Sequence, residues 1–147
     1  MPKLTVVFVA LAALAGLCAG CGESSGVAEG ATVTAYVAGA LCAEAKQELA
    51  RHGSEAGDVH VRAICLPRSE RGGELQLATI GANARRATQD SSSIAYIGEP
   101  TQAASRFAET ILEEARIRQY AAIPGARAMS QLLSALEAGR VSPRGNL

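Results

Sequence analysis

The stretch that most constrains the fold of this chain is SIAYIGEPTQAASRFAETILEEARI, residues 93–117. It opens with a short apolar run at residues 94–97, which is typical of a strand buried on both faces. Residues 98–101 then form a turn, in which Pro100 suits the first position of a helix. Apolar residues recur beyond the turn at helical spacing: Ala104, Phe107, Ala108, Ile111, Leu112 and Ala115. The stretch therefore predicts a buried strand, a tight turn and an amphipathic helix.

The same alternation of strand and helix extends through residues 32–139. Further strands are predicted at residues 32–37, 58–66 and 120–123, and a polar loop at residues 67–73. In the second strand, exposed His60 and Arg62 are expected to alternate with buried neighbours. The other helices carry these apolar stripes: Leu41, Ala45 and Leu49; Leu77, Ile80, Gly81, Ala84 and Ala87; and Met129, Leu132, Leu133 and Leu136. We therefore predict an α/β fold with a small parallel sheet of about four strands and flanking helices, followed by a polar tail at residues 140–147.

The amino terminus has the pattern of an export signal. Lys3 precedes an apolar run at residues 4–17, which has the length of a signal-peptide core and is short for a transmembrane helix. Small residues before Cys21 resemble a lipobox, although Cys18 occupies a position where Leu is usual. We expect a signal peptide at residues 1–20, a lipidated Cys21 and a flexible linker at residues 21–31; plain signal-peptidase cleavage is the alternative. The protein would then be a cell-envelope lipoprotein on the outer face of the cytoplasmic membrane, or secreted if not lipidated.

The remaining cysteines, Cys42 and Cys65, are expected to form a disulfide, because two cysteines in an exported chain favour a bridge over a metal site. A zinc site that adds His52 and His60 is the alternative, but this spacing fits no usual ligand pattern. We therefore expect no metal. The bridge would stabilise so small a core by about 3 kcal/mol.

Charge and motifs exclude several functions. Lys plus Arg number 14 and Asp plus Glu also number 14, so no nucleic-acid surface or polybasic membrane surface is expected. The sequence has no GxSxG elbow, HExxH, P-loop or GxGxxG after its first strand. Glu113 and Glu114 are adjacent on a helix and point apart, as on a solvated face. We expect neither catalytic residues nor a cofactor, and a secreted enzyme is a distant alternative.

The segment IGEPTQAASRFAETILEEARI resembles the first lobe of type 1 periplasmic solute-binding proteins, the branched-chain amino-acid receptors of ABC transporters. In that family an IG-x-x-x-S/T turn leads into a helix that ends in a phrase like "ILNEAGI". The similarity extends over roughly residues 31–125. The helix at residues 126–137 also resembles the "AM…VLDAI" helix that occurs late in full-length receptors. The resemblance implies the amino-terminal lobe of a type 1 binding protein.

The resemblance also implies where a ligand would bind. The ligand-binding residues are carried over by position to three turns that follow predicted strands. Gly39 lies in the turn after the first strand, Glu99, Thr101 and Gln102 in the turn after the third, and Gly125, with Pro124, in the turn after the fourth. Glu99 departs from the family's serine-rich turn and would repel a ligand carboxylate. The chain also has about half the length of a complete two-lobed receptor.

Two functions follow from the resemblance. The first is capture of an amino acid or similar small polar solute for an ABC permease, with the membrane contacted only through the lipid anchor. The alternative is a single-lobe interaction module that binds protein or self-associates without a small-molecule ligand. A homodimer would restore two lobes.

Overall fold

The computed structural model describes residues 27–141. The signal peptide, Cys21 and residues 142–147 of the predicted tail lie outside the described residues. The helices are α1 (Cys42–Arg51), α2 (Leu77–Gln89), α3 (Gln102–Glu114) and α4 (Gly125–Glu137). The strands are β1 (Thr32–Val37), β2 (Glu55–Ala56), β3 (Val59–Cys65), β4 (Glu70–Arg71), β5 (Glu74–Leu75), β6 (Ser93–Ile97) and β7 (Arg118–Tyr120). Within the described range, no helix has the length and apolar character needed to cross a membrane.

The main sheet has five strands in the order β2-β3-β1-β6-β7. The pairs β3–β1, β1–β6 and β6–β7 are parallel, whereas β2 runs antiparallel to β3. The α/β class is thus confirmed and the sheet is mostly parallel, but it has five strands instead of about four and is mixed, because β2 is antiparallel. The additional strand, β2, has only two residues and carries no apolar run, so periodicity could not reveal it.

A second difference lies in the predicted polar loop at residues 67–73. Strands β4 and β5 form a small antiparallel hairpin there, with Arg71 opposite Glu74. The two residues between them, Gly72 and Gly73, both have positive φ, at 60° and 82°. Paired glycines of this kind favour the tight hairpin turns whose twist matches that of the strands.

Helices cover the sheet on both faces. The side chains of Val33, Ala35 and Val37 join one core with α1 and α4, which also receives Met129, Leu132 and Leu133. On the opposite face Tyr36 and Tyr96 pack with α2 and α3. Strand β6 is buried along its entire length, as its apolar run predicts.

The helix and strand boundaries near the carboxyl edge differ from the sequence prediction. Pro100 precedes the helix instead of beginning it; Thr101 is the N-cap residue of α3, and its hydroxyl accepts a hydrogen bond from the Ala104 amide at 3.3 Å. The fourth strand was predicted at residues 120–123, but β7 ends at Tyr120. Ala122 has a φ of 53°, which is incompatible with a continuing strand.

Two residues that were predicted to be buried are exposed. Leu77 of α2 is 50% exposed and Phe107 of α3 is 44% exposed. The edge of the Phe107 ring lies beside Gly81 of α2, so Phe107 packs in part against the neighbouring helix. The polar residues Asn83 and Ser105 are buried instead, and each donates a side-chain hydrogen bond to a backbone carbonyl.

Both ends of the described range are attached to the domain. Val27, in the predicted linker, packs against the α1/α4 core, and the Gly30 amide donates to the Asp58 carbonyl at 2.8 Å. Val141, in the predicted polar tail, is buried against the same core.

Candidate functional site

The candidate site lies where the strand order reverses. From β1 the chain passes to β3 on one side and later to β6 on the other, so the loops that follow β1 and β6 leave the sheet edge in opposite directions. In open α/β sheets, ligands bind in the crevice at such a switch point, outside the carboxyl ends of the strands. Here the loops are residues 38–41 and residues 98–101.

Backbone contact fills the base of this crevice. The Ala38 amide donates to the Ile97 carbonyl at 2.8 Å, which extends the β1–β6 ladder into the loops. Gly98, with a φ of 131°, lies so close to Ala38 that a Cβ atom at this glycine would overlap the alanine methyl group. A ligand could therefore contact only the outer surface of the two loops.

The Glu99 side chain points into the protein and is fully buried. Its carboxylate accepts hydrogen bonds from the Tyr96 hydroxyl, at 2.7 Å, and from the Ser69 hydroxyl. Burial and the neighbouring Glu99 carboxylate raise the pKa of Tyr96, so this phenol remains a donor at every physiological pH. The side chain that was expected to face a ligand thus joins β6 to the segment before the β4–β5 hairpin.

The Glu99 backbone also connects the loops of this edge. Its carbonyl accepts hydrogen bonds from the Ser105 hydroxyl at 3.0 Å and from the Ala122 amide at 3.1 Å. The Gln119 side-chain amide donates to the neighbouring Gly98 carbonyl at 2.9 Å. The turn after β6 is therefore held by α3, β7 and the loop that follows β7.

Gly125 is buried at the beginning of α4. Its amide donates to a Glu44 carboxylate oxygen at 3.1 Å, so α1 supplies the acceptor that a ligand carboxylate was expected to provide. A Cβ atom at Gly125 would overlap the Leu41 carbonyl. The preceding residue, Pro124, is exposed and occupies the N-cap position. The predicted turn at Pro124 and Gly125 is thus the beginning of a helix packed on α1.

The other predicted ligand-binding residues lie at the surface of the same edge. Thr101 and Gln102 are exposed at the beginning of α3, and Gly39 is half-buried in the loop after β1. The exposed Arg68 closes the space beside Gly39 and brings a positive charge to this edge. The sequence interpretation missed Arg68, although its position after β3 marks it by the rule that carboxyl ends of parallel strands share an edge.

A disulfide joins two elements of this edge. Cys42, the first residue of α1, is bonded to Cys65, the last residue of β3, with Cα atoms 5.6 Å apart. Both sulfur atoms are therefore engaged, which removes the thiolate ligands of the alternative zinc site. Of its histidines, His52 lies 3.3 Å from Glu48, and His60 is exposed on β3. Among residues 27–141, no group of metal-ligating side chains comes together.

The predicted or newly found candidate residues that are exposed or half-buried at this edge are Gly39, Arg68, Thr101 and Gln102. The first-turn amides of α3 and the Arg68 guanidinium favour an anionic group there, whereas Glu99 and Gly125 are used inside the fold. No protein-family model matches this chain, and no characterised protein or solved structure is significantly similar to it.

Proposed function

We propose that this chain is an exported solute-recognition lobe that captures an amino acid or similar small polar solute for an ABC importer. The observation that carries the proposal is the sheet order, which brings the loops after β1, β3 and β6 to one edge, where Arg68 and Thr101 are exposed and Gly39 is half-buried. The ligand carboxylate would lie against Arg68 and the first turn of α3.

A second surface would complete the site. A single lobe cannot close over a bound solute, whereas small-molecule sites bury most of their ligand. A second lobe, supplied by another copy of this chain, would close over the solute and present it to the permease. Solute binding and dimerisation should therefore be coupled.

The test is a titration of amino acids and small polar solutes into the purified protein, followed by amide NMR shifts and by thermal melting. We expect saturable shifts in residues 39–40, 68 and 101–103, and about tenfold weaker binding in Arg68→Gln, which loses a charge-assisted contact. Arg71→Gln is the matched control, because Arg71 is exposed on the neighbouring hairpin strand. Equal weakening by both variants, or no saturable shift with any solute, would reject this site.

Thr101 needs a separate control because it also caps α3. Thr101→Ala should lower stability by about 1 kcal/mol through loss of the cap. Thr101→Ser retains a capping hydroxyl and should retain both stability and binding. A loss of binding in Thr101→Ala that persists at temperatures where the variant is fully folded would support a direct ligand contact.

The exposed apolar pair on α2 and α3 favours the second candidate, a self-associating interaction module. Leu77 and Phe107 are the large hydrophobic side chains exposed among the described residues, and Phe107 lies against Gly81 of the same helix pair. This function predicts a dimer in sedimentation that Phe107→Ser dissociates into a monomer that is still folded by circular dichroism. A monomeric parent protein at high concentration would exclude it.

Export and lipidation form part of the proposal and concern residues outside the described range. Incorporation of labelled fatty acid into the parent protein, and its loss in Cys21→Ala, would support the lipid anchor. A processed but unlabelled parent protein would instead identify a secreted form.

A further inference from the structure

A polar groove lies at the opposite side of the sheet from β2, between the edge strand β7 and helix α4. Its volume is about 310 Å³, near the lower limit for small-molecule sites. The lining residues are Arg118 and Tyr120 of β7, Ser130, Gln131, Ser134 and Ala135 of α4, and Arg140 beyond the helix. Among the described residues, no acidic side chain lines the groove.

The most informative atom in this groove is the Tyr120 hydroxyl. Tyr120 is 8% exposed, and within the described part of the chain its hydroxyl oxygen is buried without a hydrogen-bond partner. An unsatisfied buried hydroxyl costs free energy, and such groups in folded proteins are almost always paired. The buried Tyr120 hydroxyl therefore has no acceptor for its hydrogen within the described structure.

Two guanidinium groups flank that hydroxyl. Arg118 lies over the Tyr120 ring, with its guanidinium carbon 5.7 Å from the ring centroid. Burial raises the pKa of Tyr120, while the positive charges of Arg118 and Arg140 and the approach of the Arg118 guanidinium to the hydroxyl lower it. No atom of Arg118 meets hydrogen-bond geometry with the hydroxyl, and a guanidinium could only donate to it, so the phenol hydrogen still has no acceptor within the described structure. The neutral phenol is a hydrogen-bond donor at physiological pH, beside two fixed positive charges.

The turn at the end of α4 brings Arg140 to the groove. Gly139, with a φ of 62°, reverses the chain, and the Gly139 and Arg140 amides donate to the Leu136 and Ala135 carbonyls at 2.9 and 2.8 Å. This Schellman motif ends α4 and returns Arg140 to the groove. The helix end contributes about half a negative charge, which the two guanidinium groups outweigh.

We propose that this groove binds a phosphate group, held by the Arg118 and Arg140 guanidinium groups, the Tyr120 hydroxyl and the Ser130 and Ser134 hydroxyls. Two fixed positive charges match the double negative charge of a phosphate. The set of donors also exceeds what one planar carboxylate can accept, whereas a phosphate offers three terminal oxygens, and guanidinium forks suit its geometry. The site does not depend on solute binding at the carboxyl edge of the sheet.

Calorimetric titration of the full chain with inorganic phosphate, at constant ionic strength in a buffer without phosphate, tests the proposal. We expect saturable binding by the parent protein and weaker binding by Tyr120→Phe and Arg140→Gln, each by about tenfold or more. Arg127→Gln is the matched control: it removes an exposed arginine of the same helix that does not line the groove, so its affinity should equal that of the parent.

Tyr120→Phe should fold normally, because it removes only a hydroxyl that has no partner. If it does not fold, Arg140→Gln, at an exposed position, decides the question. Unchanged affinity in the folded variants, equal weakening by Arg127→Gln, or no saturable heat with phosphate would overturn the proposal. Acetate that binds as tightly as phosphate would overturn the assignment to phosphate.

A parallel titration with glycerol phosphate identifies the source of the phosphate group. Tighter binding of glycerol phosphate would support a phosphomonoester ligand. Equal binding of the two would support free phosphate.

Discussion

Tyr96 donates a hydrogen bond from its hydroxyl to the Glu99 carboxylate at 2.7 Å, and both side chains are fully buried. Within the described residues, no basic side chain forms an ion pair with Glu99, so the hydroxyl groups of Tyr96 and Ser69 satisfy the carboxyl group. Removal of one donor leaves a buried acceptor with fewer partners, which is more costly than the net value of a hydrogen bond.

We therefore expect Tyr96→Phe to lower the free energy of unfolding by about 1–3 kcal/mol, measured by urea denaturation. Tyr120→Phe is the matched control, because it removes a buried hydroxyl that makes no hydrogen bond in the described structure. Its stability should equal or exceed that of the parent. Equal losses in the two variants would contradict the role given to Glu99.

Gly125 and Gly81 should respond in opposite ways to alanine. At Gly125 the added methyl group would overlap the Leu41 backbone carbonyl, which cannot move aside without displacing α1. We expect Gly125→Ala to cost about 1–3 kcal/mol by overpacking. At Gly81, inside α2, the nearest atoms to the methyl group would be the end of the Arg85 side chain at 3.4 Å and the Phe107 ring at 3.6 Å.

Gly81→Ala should therefore stabilise the protein by about 0.5–1 kcal/mol, because alanine has the higher helix propensity. Thermal or urea denaturation of the two single variants measures both effects. Destabilisation by Gly81→Ala, or tolerance of Gly125→Ala, would show that the helix packing differs from that described.

The disulfide should contribute strongly to the stability of this small domain. Cys42 and Cys65 are 23 residues apart, and closing a loop of that size stabilises by about 3 kcal/mol in the chain-entropy model. The double variant Cys42→Ala/Cys65→Ala should melt roughly 10 °C or more below the parent. A background with Cys18 and Cys21 replaced by serine serves as the control for other thiols, and thiol labelling of the unfolded parent should find no free sulfhydryl at either position.

We expect Asp90 to make the free energy of unfolding sensitive to acid. Burial tends to raise its pKa, but hydrogen bonds from Ser92 and from the Tyr36 hydroxyl outweigh burial and lower the pKa below its usual value. A carboxylate whose pKa is lower in the folded state stabilises the protein above its unfolded pKa, near 4, and loses that contribution as the pH falls through the folded value. The stability difference between the parent and Asp90→Asn should therefore be constant from pH 7 to about pH 5 and shrink below pH 4.

The measurement is the urea midpoint of both proteins as a function of pH. Asp58→Asn is a suitable control, because Asp58 is exposed and only its backbone carbonyl bonds within the described structure. A difference that does not change between pH 7 and pH 3 would contradict the assignment to Asp90.

Local patterns in the sequence were sufficient to predict the main elements. β1 is rich in branched residues, β6 contains the apolar run at residues 94–97, and α4 carries a wide apolar stripe, so each was found where its pattern lies. Helical periodicity could not establish that the Phe107 side chain is partly exposed, because the width of the buried stripe on α3 depends on how closely α2 approaches it. That distance is set by small residues such as Gly81 on a different helix.

The site was harder to predict than the fold for a related reason. Glu99 follows a strand and precedes a helix, a position where a charged side chain normally faces water or a ligand. Its burial depends on Ser69, 30 residues earlier. The Gly125 amide likewise finds its hydrogen-bond acceptor in Glu44, which lies 81 residues earlier in the chain. Such long-range partners leave no trace in local spacing, whereas the exposure of Thr101 at the beginning of α3 depends on the local turn.

The contact between Glu44 and Gly125 has a consequence for the order in which the protein can be made. Ribosomes release α1 long before α4, so the apolar side of α1 and of the sheet has no cover until the last helix emerges. A nascent chain that ends before Gly125 lacks the α4 side chains that complete the core around Val33, Val37 and Leu49. Burial of this core therefore requires the carboxyl-terminal helix, the last helix to be synthesised within the described part of the chain.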